Sequence, residues 1–144
     1  MEKKKVLFVC VHNTARSQMA EAFLTALGGD WFAVESAGLE TAELNPLAVA
    51  AMKEIGIDIS KNGPKPAFDF FKEGRRYNYV TTVCDDASAE RCPTFTGFTK
   101  RLHWPFEDPL KLTGTYEERF EGTRKIRDKI KARIEQWLKE EEKA

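Results

Sequence analysis

The run Val6-Leu7-Phe8-Val9-Cys10-Val11 limits the folds open to this chain more than any other feature. Apolar residues at every position, several of them β-branched, fit a strand covered on both faces, as at the centre of a parallel sheet. The polar turn His12-Asn13-Thr14-Ala15-Arg16-Ser17 comes next. Then Met19, Ala20, Phe23, Leu24 and Leu27 recur at helical spacing, with Gly28-Gly29 as a stop. The chain thus opens as strand, tight turn, helix.

The same logic repeats downstream. Phe32 to Ser36 reads as a strand, and Asn45 with Pro46 reads as the cap and first residue of a helix. Ala48, Ala51, Met52 and Ile55 form that helix's apolar stripe, and Gly56 ends it. Ser60 to Pro66 is a loop by composition, Tyr79 to Cys84 a third strand and Thr99 to Trp104 a fourth. A long helix starts near Thr115, which stands in capping-box spacing with Glu118. Phe120, Ile126, Ile130, Ile134, Trp137 and Leu138 make its core face, and the charged tail from Lys139 to Ala144 is expected to fray. Alternating strands and helices with short connections predict an α/β fold, a parallel four-stranded sheet flanked by helices, in one domain over residues 1–144. Ligands of such folds bind beyond the carboxyl ends of the strands. Cys10 and Cys84 fall there, and Cys92 follows shortly after.

Charge excludes one class of partner. Lys plus Arg number 23 and Asp plus Glu number 23, so the net charge is zero and nucleic-acid binding has no support. The 3 cysteines are an odd number and cannot all close into internal disulfides. Lys3-Lys4-Lys5 precedes an apolar run too short for a signal core or a membrane span. The expectation is a cytoplasmic monomer with free or exchanging thiols and no membrane contact.

Cys10 and Arg16, five residues apart between a strand and a helix, form an anion cradle. The amides of Val11, His12, Asn13, Thr14, Ala15 and Arg16 line the turn, the helix start adds partial positive charge, and Arg16 offers a planar fork of donors. These surroundings favour the thiolate of Cys10, and Ser17 is placed to donate a hydrogen bond to it. A nucleophile below a bound oxyanion is ready for in-line attack. Read alone, C-x5-R fits a small apolar residue closing a buried strand just as well. The strand before it, the helix after it and the presence of Arg16 turn the balance toward the cradle.

The segment Val9 to Ala22 resembles the signature of the low-molecular-weight protein tyrosine phosphatases and of the arsenate reductases that share their flavodoxin-like fold. The resemblance continues through Ser36-Ala37-Gly38, Asn45-Pro46, Thr82-Val83-Cys84-Asp85 and His103-Trp104-Pro105-Phe106-Glu107-Asp108-Pro109. It is closest to the thioredoxin-coupled reductases. His12 departs from it, standing where many relatives have Gly. The resemblance implies that Asp108 is the general acid, although Asp-Pro by itself reads as a turn. It implies a substrate oxyanion, arsenate or phosphate, and no required cofactor. A monovalent cation beside the P-loop, near Asn13, Glu21 and Ser36 with Asp69 as a further candidate, is similar to a site in some relatives.

Phosphatase and reductase begin alike, with Cys10 attacking the oxyanion. Water then frees a phosphatase, whereas a reductase must deliver two electrons to arsenic. The resemblance implies a three-cysteine relay for this: Cys84 attacks the Cys10 sulfur, Cys92 attacks Cys84, and thioredoxin reduces the resulting disulfide. Seven residues separate Cys84 from Cys92, one more than in some relatives. They suit a short helix capped by Asp86, which would hold the two thiols ~12 Å apart. A disulfide needs Cα atoms within roughly 7 Å, so oxidation must unwind the segment. Read singly, Cys84 fits a core residue and Cys92 a loop residue equally well. Zinc held by Cys84, Cys92 and His103 matches no common spacing, and His12 and His103 read as structural. The pocket favours the reductase: Leu110-Lys111-Leu112 follows Asp108-Pro109, and residues 37–45 hold no aromatic to grip a phosphotyrosine ring. A redox sensor would use the thiols but leave Arg16 and Asp108 without a task.

Overall fold

The structure is a computed structural model that describes residues 2–95, 97 and 99–142. Its centre is β1 (Lys4–Cys10), whose residues from Val6 onward are buried on both faces, as the unbroken apolar run requires. β1 pairs in parallel with β2 (Phe32–Gly38) on one side and β3 (Tyr79–Thr82) on the other. β4 (Lys100–His103) closes the edge beside β3, giving the order β2-β1-β3-β4. The registers bring Cys10 opposite Gly38 and Thr82 opposite His103, so the carboxyl ends of all four strands share one rim.

Side-chain alternation along β1 divides the core in two. Val6, Phe8 and Cys10 face a large cluster completed by Met19, Phe23 and Leu24 of α1 (Arg16–Gly28) and by Ala48 and Met52 of α2 (Pro46–Glu54). Leu7 and Val9 face a smaller cluster with Ala67 and Phe70 of α3 (Ala67–Lys72), Tyr77, Val80 and Phe95. A four-residue helix, α4 (Asp86–Ala89), and a 3-10 turn (Pro109–Lys111) occupy the rim. The long α5 (Tyr116–Glu142) covers the large cluster with Ile126, Ile130, Ile134 and Trp137. Trp137 meets the rings of Phe32, Tyr79 and Trp104 at centroid distances of 5.0, 5.1 and 5.9 Å. No described helix is long and apolar enough to cross a membrane.

The caps read from sequence form as expected. Asn45 Oδ1 accepts from Leu47 N at 2.9 Å, and Thr115 and Glu118 exchange their reciprocal bonds at 3.1 and 3.4 Å. Several boundaries differ. Leu27 and Ile55 are 39% and 41% exposed instead of in the core. Leu27 lies in the last turn of α1, and Ile55 follows α2 as its C-cap, where Gly56 at φ +85° turns the chain through Schellman bonds to Lys53 and Met52. β3 stops at Thr82, two residues short of Cys84. α3 was missed because it is six residues long and buries only Ala67 and Phe70, too little periodicity to detect. α4 is capped by Asp85, not by Asp86, which is the first helical residue. Helix α5 continues to Glu142, and Tyr79 Oη donates to Glu141 at 3.2 Å; residues 143–144 of the charged tail lie outside the described residues.

Candidate active site

β1 ends at Cys10 and α1 begins at Arg16, and the turn between them is held from outside by its carbonyls. Cys10 O accepts from Leu39 N at 3.1 Å, Val11 O from Glu40 N at 2.7 Å and Thr14 O from Asn45 N at 3.1 Å. Asn13 adopts φ 57°, a left-handed conformation in which asparagine is one of the few tolerated side chains. Its buried carboxamide holds that geometry. Oδ1 accepts from Lys65 N at 2.9 Å, and Nδ2 donates to Ser17 Oγ at 2.7 Å. Gln18 Nε2 adds a bond to Asn13 O at 3.2 Å. Gly38 backs the turn so closely that a Cβ there would lie 2.8 Å from Asn13 N and from His12 C.

The turn focuses on the sulfur of Cys10. Asn13 N donates to Sγ at 3.1 Å, and Ser17 Oγ lies 2.9 Å away. Because Ser17 Oγ already accepts from Asn13, its own hydrogen is free for the sulfur. Helix α1 starts at Ala15 with no side-chain cap, so its first-turn amides are left for an anion rather than for a serine or aspartate.

Arg16 and Asp108, ninety-two positions apart, meet above this turn. Arg16 is 5% exposed; it donates to Phe106 O at 3.1 Å and pairs with Asp108 Oδ2 at 3.6 Å. Asp108 Oδ1 also accepts from Leu110 N at 2.9 Å. The turn reading of Asp-Pro holds, and the same turn presents the carboxyl to Arg16.

Cys84 lies fully buried in the large cluster with Cys10. Burial first, then the charge of Cys10, push its thiol up to about 11, and Arg16 pulls the other way. Cys92 is elsewhere. It is buried in the smaller cluster with Val80 and Phe95, where burial also raises its thiol and the Arg101 guanidinium partly offsets this. All three cysteines are free. The structure thus unites Cys10, Arg16, Ser17, Cys84 and Asp108, and keeps Cys92 apart.

The profile of the family described as low molecular weight phosphotyrosine protein phosphatase matches residues 5–144. The chain belongs to that family. Within it, the chain is 44% identical over 138 residues to an arsenate reductase of Shouchella clausii (strain KSM-K16), covering 95% of this chain and 96% of the relative. A solved arsenate reductase in the phosphate binding state superposes with a TM-score of 0.75 at 34% identity, covering 95% of this chain and 98% of the other. A thioredoxin-dependent arsenate reductase of Corynebacterium glutamicum does so with a TM-score of 0.72 at 32% identity, covering 96% of this chain and 61% of that one.

Sequence reading had not found the supporting groups: Gln18, Lys65 and the carbonyl of Phe106 carry no signature outside their tertiary setting. The cation candidates Asn13, Glu21 and Ser36 are engaged in hydrogen bonds. Ser36 Oγ donates to Glu21, whose carboxyl burial raises, while the positive charge of Lys65 acts on the same carboxyl. Asn13 Oδ1 is taken by its two amide donors, and Asp69 is exposed. No group of three or more His, Cys, Asp or Glu able to hold a metal occurs among the described residues.

Proposed function

We propose that this protein is an arsenate reductase working through Cys10, Cys84 and Cys92 and recharged by thioredoxin. Arsenate takes the cradle formed by residues 11–16, with Arg16 exchanging its present contacts for the oxyanion. The Cys10 thiolate attacks arsenic, and Asp108 protonates the departing oxygen. The Cys84 thiolate then attacks Cys10 Sγ. The electron pair of the S–As bond stays on arsenic, so As(V) leaves as arsenite and a Cys10–Cys84 disulfide remains. Cys92 attacks Cys84 next, freeing the Cys10 thiolate. A dithiol reductant such as thioredoxin cleaves the Cys84–Cys92 disulfide.

The observation that carries this reading is Cys84, a second thiol buried within electrostatic reach of Cys10 and Arg16. A phosphatase working through phospho-cysteine, the alternative reading, has no step for it. The shared first step still supports slow hydrolysis of small phosphate esters. Free thiols and a thioredoxin partner suit the cytoplasm, and a monomer suffices because every proposed group lies on one chain. No metal or organic cofactor enters any step.

The deciding experiment measures arsenite production with thioredoxin, its reductase and NADPH. Cys10→Ser is expected to be inactive, Cys84→Ser to release no arsenite, and Cys92→Ser to stop after one equivalent with Cys10 bonded to Cys84. Wild-type turnover in both Cys84→Ser and Cys92→Ser removes the relay and leaves the phosphatase reading.

A further inference from the structure

Four features of α4 and β4 converge. First, α4 has four residues and buries none of them. A helix that short has no stability of its own in water, so something outside it holds it folded. Second, Arg101 and His103 alternate along the edge strand β4 and therefore project on the same side. They reach the two ends of α4: His103 Nε2 lies 2.7 Å from Oδ1 of Asp86, its first residue, and Arg101 donates to the carbonyl of Ala89, its last, at 3.5 Å. Third, the His103 ring is fixed from the core, since its Nδ1 lies 2.7 Å from Oγ1 of the buried Thr82. Fourth, these contacts span a cleft of about 280 Å³ bordered by Thr82, Ala89, Glu90, Arg101 and His103. The helix is bridged to the strand at two points, and of its apolar side chains only the half-buried Ala89 packs against the core.

We infer that β4 is a clasp on the segment between Cys84 and Cys92, and that His103 and Arg101 are positioning residues that set how fast Cys92 reaches Cys84. The inference rests on the proposed relay. In that relay Cys92 must leave the smaller cluster and come within disulfide range of Cys84, which lies in the large one, so the segment that contains α4 must move. The exchange itself is balanced without any oxidant: the Cys92 thiolate attacks Cys84 Sγ, one S–S bond forms as the Cys10–Cys84 bond breaks, and the proton from Cys92 passes to solvent. What β4 controls is the opening that precedes it. Contacts of this exposed kind are individually weak. That suits a restraint meant to be released in every cycle, and Cys92 is held back by its apolar surroundings as well.

The test is a single turnover of arsenate without thioredoxin, quenched at intervals, alkylated and mapped by mass spectrometry. His103→Ala and Arg101→Ala are each expected to speed formation of the Cys84–Cys92 disulfide about threefold, and the double variant about tenfold, the size set by weak exposed contacts. Arg101→Lys is expected to restore the wild-type rate. Hydrolysis of para-nitrophenyl phosphate, which needs Cys10 but neither Cys84 nor Cys92, stays within about twofold, and Tm within about 2 °C, so a general loss of structure is separable. Deuterium exchange in the reduced protein rises across residues 85–92 and not across 10–17. Unchanged disulfide rates and unchanged exchange in all variants would overturn the clasp. Slower disulfide formation in His103→Ala, which keeps the Arg101 charge beside Cys92, would overturn it too, by showing that the contact aims Cys92 instead of restraining it. If the wild-type protein forms no Cys84–Cys92 disulfide, the relay itself fails, and the exchange measurement still decides whether β4 holds α4.

Discussion

The P-loop and the segment joining Cys84 to Cys92 both serve thiols, yet they are held by opposite means. In the P-loop Asn13, Ser17 and Gln18 are fully buried, three backbone carbonyls are tied to the connection between β2 and α2, and one residue sits at positive φ. In the other segment no residue of α4 is buried, and its contacts to β4 and to Glu40, which Arg91 meets at 3.5 Å, lie on the surface. A nucleophile that waits for an oxyanion gains from fixed geometry, because the cost of ordering the loop is met during folding. A thiol that must travel gains from weak, local restraints. The same chain carries both because they hang on different strands.

That contrast can be broken at several points. Gly38→Ala should do the most damage, because its Cβ would lie 2.8 Å from two backbone atoms of the P-loop. We expect kcat/KM for arsenate to fall on the order of 100-fold through misplaced cradle amides; steady-state kinetics would show it, and near wild-type activity would mean the loop is softer than its bonding implies. Asn13→Ala removes the donor to Ser17 Oγ and the acceptor for Lys65 N, and puts alanine at φ 57°. It should cost about 2–4 kcal/mol in denaturant unfolding, with a parallel loss of activity.

A pH measurement probes the thiol between the two regions. Folding raises Cys84 from its ordinary 9.0 to about 11, so the folded state holds that proton more tightly than the unfolded chain. The associated stability is complete below pH 9 and is lost as pH climbs from about 9 to about 11, to the extent of about 2 kcal/mol. Cys84→Ala should flatten that part of the stability profile, and an equal slope in both proteins would remove the assignment. The smallest effect belongs to Asp85→Ala, which deletes the α4 cap made by the bond from Ser88 N at 2.8 Å. Hydrogen exchange across residues 86–91 should speed up severalfold, while Tm stays unchanged.

Those same regions show what a sequence can disclose. Strand, P-loop and α1 are contiguous, so their periodicities and the Cys10–Arg16 spacing were readable directly, as were the caps at Asn45 and Thr115. The meeting of Arg16 with Asp108 was not, since ninety-two positions separate them and only the fold closes that gap. Nor was the division of the thiols between two clusters: the alternation that sends Cys10 to one face is visible along β1, whereas Cys92 sits in irregular chain with no period to follow. Leu27 and Ile55 failed for a related reason. A helical stripe continues in sequence past the point where its covering partner stops.

The seat of Cys92 has an electrochemical consequence under the proposed relay. Forming the Cys84–Cys92 bond withdraws a side chain from among Val80, Phe95 and their neighbours, so the void left behind contributes to the midpoint potential of the couple. A substitution that loosens this far side of the sheet, with no atom near arsenic, makes the dithiol easier to oxidise. One that tightens it makes the disulfide a better acceptor for incoming electrons. Phe95 then tunes a redox reaction through packing alone.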